Sequence, residues 1–527
     1  MHSLSWRQPG RRRGRDSQPD RQAPRREEPA RPQLPDRHHH QRSPAAGGRS
    51  KVNEDARERW ERQADRPGHQ RPGRLHHRPE SQWISTTVAR RACQAHDPVG
   101  QHRHHRHGVH HLPAVHLQHA LDRAPGGGAT PVTEAASLYP TPVGGSPRIL
   151  ILFSDTGGGH RAAAQALTDA LRLLDPSSVV TVADPLIGQG PVIVRRLASL
   201  YSPVIRRSRA AWGAVYHTSN TKATFAAIRA VFGPAVRKVM TQLLKQHDPD
   251  VVLSVHPLLN HVAHQAIRKS GRPRALMTVI TDLVDFHRGW TFSQADLVVA
   301  PTERARKVAL HRRVPFDRVK LLGLPVDLRF RPPAPGEKQA LRRRFGLDEH
   351  RFTILVIGGA AGVGHLAAQV RALAEDRQPW QLVVICGRNE KLRRRLYELE
   401  ASTPMLILGF VDYLPELMRA CDLVVTKAGP GAIAEALATG LPLVITGFLP
   451  GQESPNVDFV VESGIGSFAP KESDLRDEVR VLAEGGPTWR EMSRRAEELA
   501  HPYASSDIAR ECLILAARYR ASAQASR

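Results

Sequence analysis

Eleven short apolar runs follow one another after residue 147, and they restrict the folds open to this chain. They are rich in Ile, Leu and Val, and longer stretches of helical character separate them. Such runs are typical of strands buried on both faces, as in a parallel sheet covered by helices. The runs begin at residues 148, 179, 250, 275, 296 and 319 and, after the proline-rich stretch RFRPPAPGEK, at 353, 381, 405, 422 and 442. They predict an α/β fold of two facing Rossmann-like domains, at residues 148–328 and 336–500.

The last part of the chain has a different pattern. From Ser505 the sequence SSDIARECLILAARYR spaces its apolar residues as one face of a helix. We predict that residues 501–527 form a helix that crosses back onto the first domain.

The first 147 residues differ in composition from everything that follows. They hold 25 of the 76 Lys and Arg residues, 14 of the 51 Asp and Glu residues and 16 of the 27 histidines, which gives net charges of +11 before and +14 after this point. No apolar periodicity is long enough to offset the entropy of folding, so we predict a disordered basic segment. An alternative is that upstream DNA is read as coding and that translation starts near Leu138 or earlier.

The number of cysteines and the hydropathy of the chain indicate the cellular compartment of the protein. Four scattered cysteines form neither a disulfide framework nor a CxxC metal motif, which favours a reducing cytosol. No stretch approaches the roughly 20 apolar residues of a membrane span. Residues 190–220 mix aliphatic and aromatic side chains with arginines, which suits an interfacial segment on anionic lipid or, alternatively, an ordinary solvated helix face. We therefore expect a cytoplasmic protein, peripheral on the inner face of the cell membrane.

Glycine-rich turns follow several of the predicted strands, where backbone N–H groups can approach an anion. The candidates are Gly157–Gly159, Gly358–Gly359 and Gly429–Gly431. None fits the P-loop pattern GxxxxGK[ST], and no acidic residue is spaced for an NAD ribose after the first turn. A tight turn is the alternative for each of them. Asp155 and His160 flank the first turn at the carboxyl end of a strand, where α/β proteins bind ligands.

The second domain carries a denser group of polar residues in KAGPGAIAEALATGLPLVITGFLPGQESPN. The Gly429–Gly431 turn with Pro430 and Lys427 suits a phosphate, and Glu435 in the following helix suits a ribose diol. Sugar hydroxyls could bind the next loop, at Gln452, Glu453 and Asn456. A helix N-terminus, a capping carboxylate and a solvated loop are the alternative, but the combination favours a nucleotide-sugar site.

Motifs along the whole of this region resemble one family. The stretches ILILFSDTGGGHRAAAQAL, SVHPLLNHV, TVITDLVDFHRGW, KLLGLPV, ICGRNEKL and LGFVDYLPELMRACDLVVTKAGPGAIAEALATGLPLVITGFLPGQESPN are similar, in order and spacing, to the monogalactosyldiacylglycerol synthases and bacterial processive diacylglycerol glucosyltransferases. These enzymes are relatives of the N-acetylglucosaminyltransferase that makes lipid II. The resemblance runs from about Arg148 to the C-terminus and does not include the first 147 residues.

The resemblance implies a GT-B glycosyltransferase that moves a hexose from a UDP-sugar to 1,2-diacylglycerol with inversion and without a metal or other cofactor. It places Asp155 and His160 in the catalytic loop, where either could be the base. For the donor it implies Glu435 at the ribose and Gly409, Phe410 and Val411 at the uracil. It also implies Gly358, Gly359, Lys427, Gly429, Pro430 and Gly431 near the phosphates, and Gln452, Glu453 and Asn456 at the sugar. On the acceptor side it implies Gly158, Gly159, His256, Asp282, His287 and Trp290.

Two stretches depart from the plant enzymes. GGAAGVGHL lacks the acidic residue of their GGGEGMGP-like loop, and PLIGQGPVIV after Asp184 lacks a histidine that they use for anionic lipid. The resemblance is therefore weaker for the phosphate contacts of Gly358 and Gly359 and for activation by phosphatidylglycerol.

Three functional classes remain open from the sequence. The first is the lipid hexosyltransferase, with glucose or galactose as the sugar and galactose slightly favoured by the GPG and GQE stretches. The second is a related transferase with another lipid or soluble acceptor. The third is a non-catalytic binding protein that uses the basic segment, although that segment lacks any pattern of specific nucleic-acid recognition. Neither processivity nor oligomeric state follows from the sequence.

Overall fold

The computed structural model describes residues 145–155, 158–190, 192–199, 209–358, 366–399 and 401–525. Residues 1–144, which make up nearly all of the segment predicted to be disordered, lie outside the described residues, as do Gly157, Gly359 and part of the predicted interfacial stretch.

The first sheet is built from six strands, and every pair in it is parallel. The strand order is β2-β1-β3-β4-β5-β6. The strands are β1 (Arg148–Leu152), β2 (Val179–Ala183), β3 (Val251–Ser254), β4 (Ala275–Val279), β5 (Leu297–Ala300) and β6 (Val319–Leu321). The helices in this part are α1 (Gly158–Leu174), α2 (Val192–Ser199), α3 (Arg209–Ser219), α4 (Lys222–His247), α5 (Asn260–Lys269) and α6 (Glu303–His311), with short 3₁₀ turns at Arg288–Trp290 and Phe316–Arg318.

The second sheet also has six parallel strands, in the order β12-β11-β10-β7-β8-β9. Its strands are β7 (Phe352–Ile357), β8 (Trp380–Ile385), β9 (Met405–Leu408), β10 (Leu423–Thr426), β11 (Leu443–Ile445) and β12 (Gly466–Phe468). Its helices are α7 (Glu337–Arg344), α8 (Leu366–Ala374), α9 (Glu390–Tyr397), α10 (Leu414–Ala420), α11 (Pro430–Thr439), α12 (Ser454–Glu462), α13 (Glu472–Ala483) and α14 (Pro487–Leu499).

The prediction of an α/β fold with two Rossmann-like sheets is confirmed. All eleven predicted strands are present, and the central strands of each sheet are buried because helices cover both faces, whereas the edge strands β2 and β6 are partly exposed. Strand β12 was not predicted, since it is only Gly-Ser-Phe and lacks an apolar run. A Cβ at Gly466 would lie 2.2 Å from the Leu443 carbonyl oxygen, so this edge strand depends on glycine.

Each sheet contains a point where the chain reverses the direction in which it adds strands. In the first sheet β1 lies between β2 and β3, and in the second β7 lies between β8 and β10. Loops on the two sides of such a point diverge and leave a crevice at the carboxyl ends of the strands, which is where α/β proteins bind ligands. The crevices lie beyond β1 and β3 and beyond β7 and β10.

The C-terminal helix α15 (Ala504–Ala525) packs on the first sheet and on α1. Its apolar face, which includes Ile508 and Cys512, joins α1 and the strands β1, β3 and β4 in one buried cluster. Burial raises the pKa of the Cys512 thiol to about 12. At the far end of the helix, the Tyr519 hydroxyl donates a hydrogen bond to Asp296 over 2.6 Å. The first domain is thus completed by the last part of the chain.

The proline-rich connection between the two sheets is held by ion pairs and hydrogen bonds. Arg419 of α10 donates to Glu337 over 3.0 Å and to the Arg329 carbonyl over 2.6 Å. Arg331 donates to both oxygens of Glu337. Because Arg419 is almost fully buried, these bonds satisfy a charge that would otherwise be costly, and they tie the connection to the second sheet.

Substitutions in α15 test its place in the core of the first domain. Ile508 is fully buried, whereas Ile514 on the same helix is 37% exposed. Ile508→Ala is expected to lower the free energy of unfolding by about 2–5 kcal/mol, because it leaves a cavity against α1 and the sheet. Ile514→Ala should cost roughly 1 kcal/mol or less. Urea unfolding followed by circular dichroism measures both, and equal losses would contradict the packing described.

Candidate active site

A cluster of buried aromatic and imidazole rings occupies the crevice of the first sheet. His160 lies in the first turn of α1, and His256 follows β3. Their ring centroids are 4.7 Å apart in an edge-to-face arrangement, and the Trp290 ring lies 6.1 Å from His160. Nδ1 of His160 is 3.1 Å from the hydroxyl of Thr281. Two of the predicted histidines and the predicted tryptophan therefore come together at one point.

Burial keeps these histidines uncharged. It lowers the pKa of His160 to about 4, against the opposing effect of a hydrogen bond with the Val255 backbone. Burial, with the neighbouring His160 and His287, also holds the pKa of His256 well below its usual value. A neutral imidazole can accept a proton or donate a hydrogen bond, but it supplies no positive charge.

Asp155 and His160 are neighbours in sequence but differ in their contacts. Both carboxylate oxygens of Asp155 accept hydrogen bonds from Arg161, at 3.3 and 2.7 Å, and the Asp155 side chain is 43% exposed. Asp184 organises this loop, since it accepts from the backbone N–H groups of Asp155, Leu186 and Ile187. The sequence showed Asp184 only as a residue too distant for a ribose, and its role in the loop was missed.

Motifs on the acceptor side pack against one another. A Cβ at Gly289 would lie 2.7 Å from the carbonyl oxygen of Pro257, so the residue before Trp290 must be small. Asn260 donates from its side chain to the Gly289 carbonyl over 3.0 Å. His287 accepts from the Gly289 N–H at the start of a 3₁₀ turn, and burial lowers its pKa to about 4.

One buried carboxylate of this domain contacts the second domain. Oδ2 of Asp282 accepts from the indole N–H of Trp290 over 2.7 Å, and the Gln452 side chain also hydrogen-bonds to this carboxylate. Burial raises the pKa of Asp282 to about 6, with the charges of Glu453 and Asp285 adding to this effect and the two hydrogen bonds opposing it. Asp282 thus lies where the two crevices meet.

The crevice of the second sheet holds the predicted donor residues. Gly429 is the N-cap of α11, and Pro430 and Gly431 open this helix with no acidic residue in its first turn. Lys427 forms an ion pair with Glu453, which also accepts from the Leu449 N–H over 2.8 Å. Asn456 donates to the Ala428 carbonyl over 2.9 Å. The loop after β11 is therefore fastened to the glycine turn after β10.

Glu435 is half-buried on α11. Burial raises its pKa to about 7, and the negative charge of Asp327 adds to the effect. A carboxyl group whose pKa is about 7 can donate or accept a hydrogen bond near neutral pH, as recognition of a diol requires.

Phe410 is 71% exposed, and the Arg388 guanidinium lies 5.5 Å from its ring centroid. The adjacent Gly409 lies close to the Gly387 carbonyl, while Val411 packs against the core of the second domain.

At the end of β7, a Cβ on Gly358 would lie 2.6 Å from Leu366, so this glycine permits close packing. Arg388 was not predicted, although its place beside a glycine after β8 was a signal for it.

The structure also brings α3 against the loop after β11, which the sequence did not indicate. A Cβ at Gly213 would lie 3.2 Å from Cβ of Pro450. Gly451 has a φ of 82°, and a Cβ there would lie 3.0 Å from the rings of Tyr216 and His217. At the start of α1, Gly158 begins the helix, and Gly159 has open space around the position of a Cβ.

Two further features of the described residues bear on their chemistry. Within them, no group of three or more His, Cys, Asp and Glu side chains is placed to hold a metal ion. Nor does this part of the chain contain a helix long and apolar enough to cross a membrane.

Comparison with known proteins matches both halves of the site. Residues 160–326 match the model of the monogalactosyldiacylglycerol (MGDG) synthase family, and residues 353–456 match that of the glycosyltransferase family 28 C-terminal domain. Monogalactosyldiacylglycerol synthase 1, chloroplastic, from Arabidopsis thaliana is 34% identical over 68% of this chain and 69% of its own length. A probable chloroplastic monogalactosyldiacylglycerol synthase from Glycine max is 34% identical over 67% of this chain and 69% of its own length.

Among solved structures, the Acinetobacter baumannii MurG crystal structure aligns at 15% identity with a TM-score of 0.45, over 70% of this chain and 99% of that one. The two family matches together span both crevices, and the curated relatives extend across them with substantial identity. The protein is therefore a glycosyltransferase that belongs to the monogalactosyldiacylglycerol synthase family.

Proposed function

We propose that this glycosyltransferase moves a hexose, galactose or glucose, from a UDP-sugar to the free hydroxyl of 1,2-diacylglycerol in membrane glycolipid synthesis. The observation that carries the proposal is the hydrogen bond between Asp282 of the first domain and Gln452 of the second. This bond joins the buried ring cluster to the loop after β11, which contains Gln452, so both substrates could meet at one place. The names of the curated relatives support the galactosyl and diacylglycerol assignments.

The donor would lie along the crevice of the second sheet. The N-terminus of α11 offers N–H groups and a positive dipole to the diphosphate, and Lys427 stands beside Gly429. A diphosphate would compete with Glu453 for Lys427 and so free that carboxylate for a sugar hydroxyl. Glu435 would bind the ribose, and Gly409, Phe410 and Val411 would hold the uracil.

The reaction would proceed by one direct displacement. A base takes the proton of the acceptor hydroxyl, the oxygen attacks the anomeric carbon, and UDP leaves with its charge stabilised by the α11 N-terminus and Lys427. This scheme inverts the anomeric carbon, and we propose that it needs no metal.

The acceptor would be reached from a bilayer surface. Val192 on α2 is 54% exposed beside the exposed Arg195 and Arg196, and Val215 on α3 is also exposed. Apolar and basic groups side by side suit the boundary of an anionic membrane. We propose peripheral attachment on the cytoplasmic side, with α2 and α3 next to the lipid.

A lipid assay tests the reaction. The full chain is incubated with vesicles of diacylglycerol and an anionic lipid, with UDP-glucose and UDP-galactose in separate samples and EDTA present. We expect glycolipid from one donor, and loss of about 100-fold or more in kcat/KM for His160→Ala, because it removes a polar group from the cleft. His311→Ala, on the exposed end of α6, is the matched control. Absence of glycolipid from both donors would contradict the proposal and favour another acceptor.

Glu435→Gln tests the donor site through pH. Folded Glu435 keeps its proton to about pH 7, whereas an unfolded glutamate loses it near pH 4.3. The folded state therefore binds more protons between these values, and its stability falls as pH rises through this window. We expect Glu435→Gln to raise the free energy of unfolding at pH 8 but not at pH 4.

The same variant should bind UDP about tenfold more weakly in calorimetry at pH 8, where it removes a charged hydrogen-bond acceptor. Glu484→Gln on the surface is the control and should change neither quantity. A stability gain that is the same at both pH values would rule out ionisation of Glu435 as its cause.

Charge reversal on α2 tests the membrane face. Arg195→Glu with Arg196→Glu should weaken binding to anionic vesicles by at least about tenfold, since each basic residue near such a surface contributes about 1 kcal/mol. The matched double reversal, Arg394→Glu with Arg395→Glu, lies on the exposed face of α9. Vesicle flotation measures both, and equal weakening by the two pairs would show that only net charge matters.

A further inference from the structure

The segment from the loop after β11 to the end of α12 contacts the first domain at both of its ends. Near its start, the side chain of Gln452 hydrogen-bonds to the carboxylate of Asp282. At its other end, Glu462 is the last residue of α12 and forms an ion pair with Arg304 of α6. The ends of this nine-residue helix lie about 12 Å apart, so these are two separate contacts on one rigid element.

Arg304 binds α12 in two ways. Its guanidinium donates to Oε2 of Glu462 over 2.7 Å, and its Cζ lies 5.7 Å from the ring centroid of Phe459. The Phe459 side chain is buried, three residues before Glu462 on the same helix. A planar guanidinium can pair with a carboxylate and lie over an aromatic ring at the same time. Arg304 therefore fixes the position of this helix end as well as attracting it.

The beginning of α6 is tied to the backbone next to Asp282. Thr302 is the N-cap of this helix, and its hydroxyl donates a hydrogen bond to the carbonyl of Leu283. Leu283 directly follows Asp282 and is buried. The contacts thus form a closed ring through both domains. Its members, in order, are Asp282, Leu283, Thr302, Arg304, Glu462 and Gln452.

Packing between the two domains is incomplete at this place. A cavity of about 270 Å³ lies between them beside Arg304. Its lining includes Pro301 and Leu321 of the first domain and Leu437 and Phe459 of the second. Side chains that line a cavity lack contacts on one side, so they resist a shift of one domain against the other less than a filled interface would. The ion pair beside the cavity therefore has a larger share in fixing the two domains.

We propose that Arg304 is a positioning residue for sugar transfer. By holding the end of α12, it sets where the loop after β11 meets the first crevice, and so it keeps Gln452 against Asp282. This inference rests on the proposed function, since it concerns the place where both substrates would meet. Arg304 acts through Glu462 and the helix rather than on a substrate.

The exposure of the pair separates this role from a structural one. The side chains of Arg304 and Glu462 are 39% and 62% exposed. Ion pairs of such exposure contribute little to the free energy of unfolding, because water and salt screen them. Loss of the pair should therefore leave the fold intact. A small displacement of the reacting groups, by contrast, lowers the rate of a transfer between two bound substrates steeply.

Reversal and exchange of the two charges test the role of Arg304 in the lipid assay. We expect Arg304→Glu to lower kcat by at least about tenfold, with UDP affinity in calorimetry within about twofold of the wild type, because the donor residues are unchanged. Glu462→Arg should lower kcat similarly. The double variant, which exchanges the two charges, should be at least about threefold more active than either single variant. A double variant no more active than the single variants would overturn the proposal.

Arg306→Glu is the matched control, on the same helix and with the same change of charge. Arg306 pairs with Glu303 within α6. This variant should keep kcat within about twofold of the wild type. Circular dichroism and thermal unfolding check that all variants are folded. Equal losses in Arg304→Glu and Arg306→Glu would overturn the proposal, since a general effect of charge on α6 would then explain both.

A distance measurement shows whether the domains shift. Spin labels are attached at Leu173→Cys on α1 and Val481→Cys on α13, two exposed positions, in a chain that also carries Cys93→Ser. The other three cysteines are buried. Pulsed electron paramagnetic resonance then gives the distribution of distances between the labels. We expect Arg304→Glu to broaden this distribution and the exchange of charges to narrow it again. An unchanged distribution in Arg304→Glu would overturn the proposal even if kcat fell.

Failure of the proposed acceptor can be told apart from failure of this inference. If the wild type forms no glycolipid, hydrolysis of UDP-hexose is measured in its place. A broader distance distribution and slower hydrolysis in Arg304→Glu, both reversed by the exchange of charges, would still support Arg304 as a positioning residue. Glycolipid formed equally fast by the wild type and Arg304→Glu would agree with the proposed function and overturn this inference.

Discussion

Each of the two sheets is hydrogen-bonded entirely between parallel strands, so every strand of a sheet ends at the same edge. Loops that are far apart in sequence are therefore gathered at one side of each domain. The first turn of α1, the segment after β3 and the segment after β4 bring His160, His256 and Asp282 together. The turns after β10 and β11 do the same for Lys427 and Glu453. No other property of the chain is needed to explain where its polar residues collect.

Gathering these residues away from water changes their protonation. The histidines lose affinity for protons, while Asp282 and Glu435 gain it, because burial disfavours the charged form of each. The result is a first crevice whose histidines are uncharged near pH 7, so that its charged groups are the carboxylates and arginines around them. Such an environment costs folding stability and is typical of sites whose chemistry needs it.

The sequence predicted the sheets well because buried parallel strands leave a signal that survives in isolation. Strand β12 left none, since Gly466 and its neighbours pair by backbone alone. Sequence motifs predicted which residues surround the crevices. They did not predict which other residues these side chains contact. Asp155 and His160 lie five positions apart and form separate contacts. The contact between Asp282 and Gln452 joins loops of different domains, and no local pattern reports it.

The helix α15 has a consequence for how the protein is made. Its buried residues complete the cluster that begins at β1, so the first domain uses both the earliest and the latest parts of the described chain. A ribosome releases these parts at widely separated times. During synthesis, the apolar surface of α1 and β1 that α15 covers stays exposed until the whole second domain and then α15 have left the ribosome. We therefore expect the nascent first domain to need transient protection, by a chaperone or by partial packing, that the finished enzyme no longer needs.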